Sequence, residues 1–164
     1  IWPQTLQSRQ KKSRASLMLS WPRWLGLDLS KVSETWRLRA RTLEAAGCLI
    51  AARLAVGFVG IERWRGHLGL AGAPDQDDIA EARRLARHVD RAAGRIMFES
   101  KCLPRAIALS RMLRRRGIAH RLVIAARPAG ARNGADDLHA WIELGGTIVL
   151  GELPGNWIQV LGLP

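Results

Sequence analysis

Residues 101–110 read KCLPRAIALS and residues 136–144 read DDLHAWIEL. From Leu103 onward, Leu103, Ala106, Ile107, Leu109 or Ser110, and Leu113 recur at helical spacing, with Pro104 in the first turn and Gly117 as the stop. This predicts a helix over Leu103 to Arg116, with Cys102 at its amino end. A thiol there feels the helix dipole and the free N–H groups, which favour the thiolate, and Lys101 and Arg105 push the same way. The second stretch alternates as a strand does, which puts His139 on one face and makes it the candidate base for Cys102.

The geometry expected of His139 follows from its hairpin. LHAWIEL and TIVLG are two strands joined by Gly145-Gly146, and a two-residue turn there makes Leu144 face Thr147. Continued without a break, that register sets His139 opposite Glu152 in a non-hydrogen-bonded pair, with Cβ atoms about 4.5 to 5.5 Å apart. A carboxylate so placed fixes the imidazole tautomer and stabilises imidazolium. Asp137 is the rival: two residues before His139 it shares the strand face, but sits about 6.6 Å further along.

Outward from these stretches, Ser33 to Ile61 is rich in helix formers and apolar nearly all round towards its end, the pattern of a buried central helix or a membrane span. Arg53 costs about 2.5 to 3.5 kcal/mol at a bilayer centre, so the packed helix is expected, with Arg53 at its rim. Pro74-Asp75 with Asp77 and Asp78 opens a second helix that carries Ile79, Ala82, Leu85, Ala86 and Val89 on one face. After Gly117, HRLVIAAR at 120–127 is a buried-type strand, followed by the loop RPAGARNGADD. Helices first and an antiparallel meander afterwards make an α+β fold.

The 164 residues suit one domain, and 48% hydrophobic with 24% charged residues is a globular composition. Two cysteines without CxxC spacing indicate neither a disulfide framework nor a zinc site, which points to a reducing, cytoplasmic setting and to no metal. Cys48 falls inside the apolar helix and is read as packing. His67, His88 and His120 are read as structural or exposed, Arg105 as an anchoring salt bridge, and Trp141 as core that also shares the His139 face. The formal charge of +12 is uneven: +7 in residues 1–41, zero in 42–100 and +5 in 101–164. Residues 1–32 are expected to form a poorly ordered basic arm ahead of a domain at 33–164. Arg114-Arg115-Arg116 is expected to face solvent in the last helical turn, complementing the dipole.

With CLPRA at 102–106, LRRRGI at 113–118 and HAWIEL at 139–144 in that order, the chain resembles the transglutaminase-like cysteine peptidases of lasso-peptide biosynthesis. These are leader-removing proteins related to the carboxy-terminal domain of the microcin-processing protein, and the resemblance runs from about residue 33 to the end. It implies a papain or transglutaminase-like fold, with a catalytic helix packed on an antiparallel sheet. It makes Cys102 the nucleophile and His139 the general base and acid. At the third position Asp is the commoner residue, and Glu152 stands there instead.

The same resemblance implies a ribosomal precursor peptide as substrate and an ATP-dependent, asparagine-synthetase-like cyclase acting after cleavage. Residues 1–32 are too few for a winged-helix-like leader-binding domain, so a separate leader-recognition protein is expected. No phosphate-binding loop occurs, so no cofactor is expected in this chain. Two alternatives stand beside the peptidase. A transglutaminase-like acyltransferase would pass the acyl group to an amine, and a basic nucleic-acid-binding module would use the positive charge. The latter lacks a recognition helix or ribonucleoprotein aromatics, so no specific nucleic acid and no membrane partner is expected.

Overall fold

The computed structural model describes residues 29–131 and 137–164. The basic arm up to position 28, and Asp136, therefore lie outside the described residues. Four α-helices precede an antiparallel sheet: α1 (Leu29–Phe58), α2 (Ile61–Trp64), α3 (Gln76–Ala93), α4 (Cys102–Arg114), β1 (Arg121–Ala126), β2 (Leu138–Leu144), β3 (Thr147–Leu150) and β4 (Ile158–Leu163). The sheet order is β3-β2-β1-β4. The α+β expectation is met.

Helix α3 starts where the acidic cluster says it should. The Asp75 carboxylate accepts from the Asp78 N–H at 2.7 Å and the Asp78 carboxylate accepts from the Asp75 N–H at 3.2 Å, a reciprocal cap. Its apolar stripe, Ala82, Leu85, Ala86 and Val89, is buried against α1 and α4. Helix α4 is enclosed by α1, α3 and β2, so Ile107, Leu109 and Leu113 are all at or near zero exposure. Each such side chain contributes about 1.5 to 3 kcal/mol by leaving water. Gly117, at φ +69°, ends it, and the Ile118 N–H turns back to the Leu113 carbonyl at 3.1 Å.

Three expectations need correction. Helix α1 is not buried all round: Ala45, Cys48, Leu49 and Ala52 face the core, while Leu43 (72% exposed) and Phe58 (85%) lie in solvent. Helices α3 and α4 pack on one side of α1, and its apolar circumference is wider than they cover. Arg53 is exposed, as a rim position should be. No helix among the described residues is long and apolar enough to cross a membrane.

The arginine run does more than face solvent. Arg114 donates to the Gly69 carbonyl at 3.0 Å, and Arg115 and Arg116 reach the Glu44 carboxylate at 3.5 and 2.8 Å. The hydrogen bond from Arg116 holds the Glu44 carboxyl below its ordinary range, against the opposing effect of burial. The run thus ties the end of α4 to α1 and to the loop before α3.

The sheet brings the largest departure. Gly145 and Gly146 take φ +53° and +81° and close the hairpin with Leu144 opposite Thr147, as expected. One pair further on, Glu143 faces Ile148, but Ile142 then faces Leu150, so Val149 is an extra residue in β3. The reason is burial. Ile142 lies on the core face of β2, and the bulge turns Leu150 onto that face, leaving it 8% exposed. The uninterrupted register that set His139 across from Glu152 does not form, and β3 ends at Leu150. Strand β4, paired with β1 on its other edge, was not expected.

Candidate active site

Cys102 is the first residue of α4. Lys101 precedes it in extended backbone and makes no side-chain cap, so the first turn keeps its amide N–H groups unclaimed by a cap. The Cys102 thiol is half-buried, and its Sγ lies 3.9 Å from the Leu138 carbonyl oxygen, the residue just before His139. Cys102 and His139 line one cavity of about 480 Å³, together with Asp90, Ser100, Arg105 and Glu152. The sequence placed the cysteine and the histidine on separate elements; the fold opens both onto the same space.

His139 is 8% exposed and its Nε2 lies 2.6 Å from the Gly151 carbonyl oxygen. A carbonyl only accepts, so Nε2 carries the proton and Nδ1 is the nitrogen left to take one from a thiol. The bulge is responsible: the partner that the flat register assigned to a carboxylate is a main-chain oxygen. Gly151 has φ +84°, and a Cβ there would meet the Ala140 carbonyl oxygen at 2.7 Å. Only glycine suits this crossing, for its left-handed backbone and for its close approach to β2. Glu152, next in the chain, is exposed and reaches the same cavity.

Two indoles contact the imidazole. Trp141 stacks at 6.1 Å between centroids, and Trp157 sits tilted at 5.3 Å with the Arg127 guanidinium 4.9 Å from the Trp157 ring centroid. Trp141 therefore packs on the His139 ring, as the shared strand face predicts, while its neighbour Ala140 is the one on the cavity wall. Asp137 closes the mouth of the loop after β1 through its backbone, accepting from the Arg127 N–H at 2.9 Å.

Arg105 is the anchor expected of it, pairing with Asp90 of α3 at 3.7 Å. Burial raises the Asp90 carboxyl above its ordinary range, and Arg105 opposes that. Asp90, Ser100, Gly151 and Trp157 were not singled out by the sequence. Gly151, at the end of a strand pattern, carried a readable signal; a serine two residues before a helix did not.

The remaining histidines and Cys48 are structural or exposed. His88 Nδ1 bonds Thr42 Oγ1 at 2.9 Å, His120 is clasped between Ser110 and the Ile118 carbonyl, each at 2.8 Å, and His67 is exposed. Burial raises the Cys48 thiol above its ordinary value. No three His, Cys, Asp or Glu side chains among the described residues are grouped so as to hold a metal ion.

A cysteine on an open helix start and a tautomer-fixed histidine, sharing a cavity and carried by a helix and an antiparallel sheet, make an arrangement for acyl transfer through sulfur. A match to the transglutaminase-like superfamily spans residues 30–160. The chain belongs to that superfamily. Its fold is accordingly transglutaminase-like, and its family accommodates both cysteine peptidases and acyltransferases. Neither the curated proteins nor the solved structures yield a similar chain.

Proposed function

We propose that this transglutaminase-like protein is a cysteine peptidase that removes the leader from a ribosomal lasso-peptide precursor. The observation that carries the reading is His139: with Nε2 committed to the Gly151 carbonyl, its other nitrogen is free to serve Cys102 across their common cavity. Cys102 is the nucleophile, His139 the base and then the acid. Glu152 is the proposed carboxylate, since it directly follows the carbonyl that holds the ring and lines the same cavity. The order of CLPRA and HAWIEL supports the lasso-specific part of the reading.

In the first step His139 takes the thiol proton and the Cys102 sulfur bonds the carbonyl carbon between leader and core. The oxyanion is received at the open start of α4 by the Cys102 N–H. The carbon–nitrogen bond breaks as imidazolium hands its proton to the departing core amine. Water, relieved of a proton by His139, then adds to the thioester; the carbon–sulfur bond breaks and the leader leaves as a carboxylic acid. A separate leader-recognition protein presents the precursor, and an asparagine-synthetase-like cyclase consumes the released core.

The test is mass spectrometry of precursor incubated with enzyme and leader-recognition protein. Cys102→Ala should yield no leader acid; continued cleavage by that variant overturns the reading. Added amine separates the two chemistries of the superfamily, because an acyltransferase leaves an amine adduct on the leader where a peptidase leaves the acid.

A further inference from the structure

Cys102 stands on the wall of two cavities, and their chemistry differs. The one shared with His139 is polar, with Asp90, Ser100, Arg105 and Glu152 around it. The other, about 520 Å³, is lined mainly by apolar Val56, Phe98, Leu103, Pro104 and Leu138, with the charged Arg53, Glu99 and Lys101 also on its wall. Val56 and Leu138 are 36% and 65% exposed, so the second cleft presents apolar surface that nothing in the described fold covers.

In the polar cavity, Ser100 is 5% exposed and its Oγ has no hydrogen-bond partner. Arg105 Nε on the same wall is likewise buried without a partner. Buried donors are nearly always paired in folded chains, so an unpaired one beside a nucleophile is a candidate donor to a bound substrate. A serine hydroxyl reaches it by rotating among staggered wells.

The position of His139 orients whatever lies across the sulfur. The imidazolium must reach the nitrogen that departs, so the amine half of the substrate occupies the cavity that His139 lines. The acyl half is left with the apolar cleft, which His139 does not line. Building on the peptidase reading, we infer that Val56, Phe98 and Leu138 select an apolar side chain on the acyl side of the cut bond. On the amine side, Ser100 donates to a neutral hydrogen-bond acceptor, an amide carbonyl or a hydroxyl. A carboxylate is disfavoured there, because Asp90 and Glu152 face the same space.

Internally quenched peptides spanning one cleavage site, supplied with the leader-recognition protein, test this. One series places Leu, Ser or Asp on the acyl side, and the other Asn, Leu or Asp on the amine side. The wild type should favour Leu on the acyl side and Asn on the amine side, each by about tenfold in kcat/KM. Ser100→Ala should lose about fivefold on the Asn peptide and nothing on the Leu peptide, with Ser100→Thr restoring part of the loss. Val56→Asp, on the exposed surface of α1, should erase the acyl-side preference for Leu through KM, leaving the amine-side preference intact. Flat preferences in an enzyme that cleaves, an apolar preference on the amine side, or a Ser100→Ala loss equal on all peptides would overturn the inference and leave the peptidase reading standing. Absence of cleavage by the wild type, equal to that of Cys102→Ala, would bring down both.

Discussion

Two pairs of a nucleophilic side chain and a histidine, Ser110 with His120 and Cys102 with His139, differ in what is left over. Ser110 and His120 are 0% and 4% exposed. Ser110 Oγ accepts from the Gly69 N–H at 3.0 Å and meets His120 Nε2 at 2.8 Å, while His120 Nδ1 meets the Ile118 carbonyl at 2.8 Å. Every polar atom of that pair is spent inside the core. Around Cys102 and His139 one ring nitrogen, the open helix start and the Ser100 hydroxyl remain unspent beside a cavity. A hydroxyl within reach of an imidazole is therefore no sign of chemistry by itself; what separates scaffold from site is unsatisfied bonding capacity facing an opening.

The comparison breaks most sharply under histidine replacement. His139→Ala should lower the cleavage rate of the folded protein by roughly 10³-fold or more; a variant that still cleaves normally would erase the distinction between the pairs. Gly151→Ala comes next. It forces a side chain into a left-handed position against the Ala140 carbonyl, and displacing the oxygen that aims His139 should cost about 10- to 100-fold in kcat. Activity kept at wild-type level would show that the ring needs no such partner.

Ser110→Ala should act in the opposite sense, sparing kcat of the folded enzyme while lowering stability by about 1 to 3 kcal/mol. The lost hydroxyl leaves the Gly69 N–H and His120 Nε2 buried without partners, and urea unfolding with a kinetic assay below the transition reads both quantities.

The smallest effect is the pH dependence of stability. Burial foremost, with Arg114 adding to it against the Ile118 carbonyl, holds His120 below its ordinary value of 6.5, and burial does the same for His88. Below pH 6.5 the unfolded chain binds protons that the folded one refuses, so stability is full above that value and declines as pH falls towards the depressed folded values. His120→Gln should flatten this slope in denaturation midpoints between pH 7 and 5; an unchanged slope would assign the dependence elsewhere.

Sequence made the helices legible because their signals are local. Asp75 and Asp78 cap α3, Gly117 stops α4, and Cys102 proved to be the first residue of its helix. Strand β4 escaped because IQVLGL follows Pro154-Gly155 without alternation, and its pairing with β1 is a tertiary choice; Ile158 and Val160 remain 57% and 64% exposed. The pairing of His139 was only half legible. The glycine turn fixed the start of the hairpin, but the bulge at Val149 answers to the burial of Leu150 against a core assembled from distant elements. Likewise the exposed side of α1 is a matter of how much its neighbours cover, which no periodicity contains.

That single extra residue acts as a setting between two ladders. Deleting Val149 would leave Leu150 opposite Ile142 with its side chain in the core, and an even ladder continued from there would put Leu153, not Glu152, across from His139. Bringing the carboxylate across from the ring instead requires Val149 to pair with Ile142, which would turn Leu150 out into water. The protein's present ladder thus ranks an oily contact above a charged one.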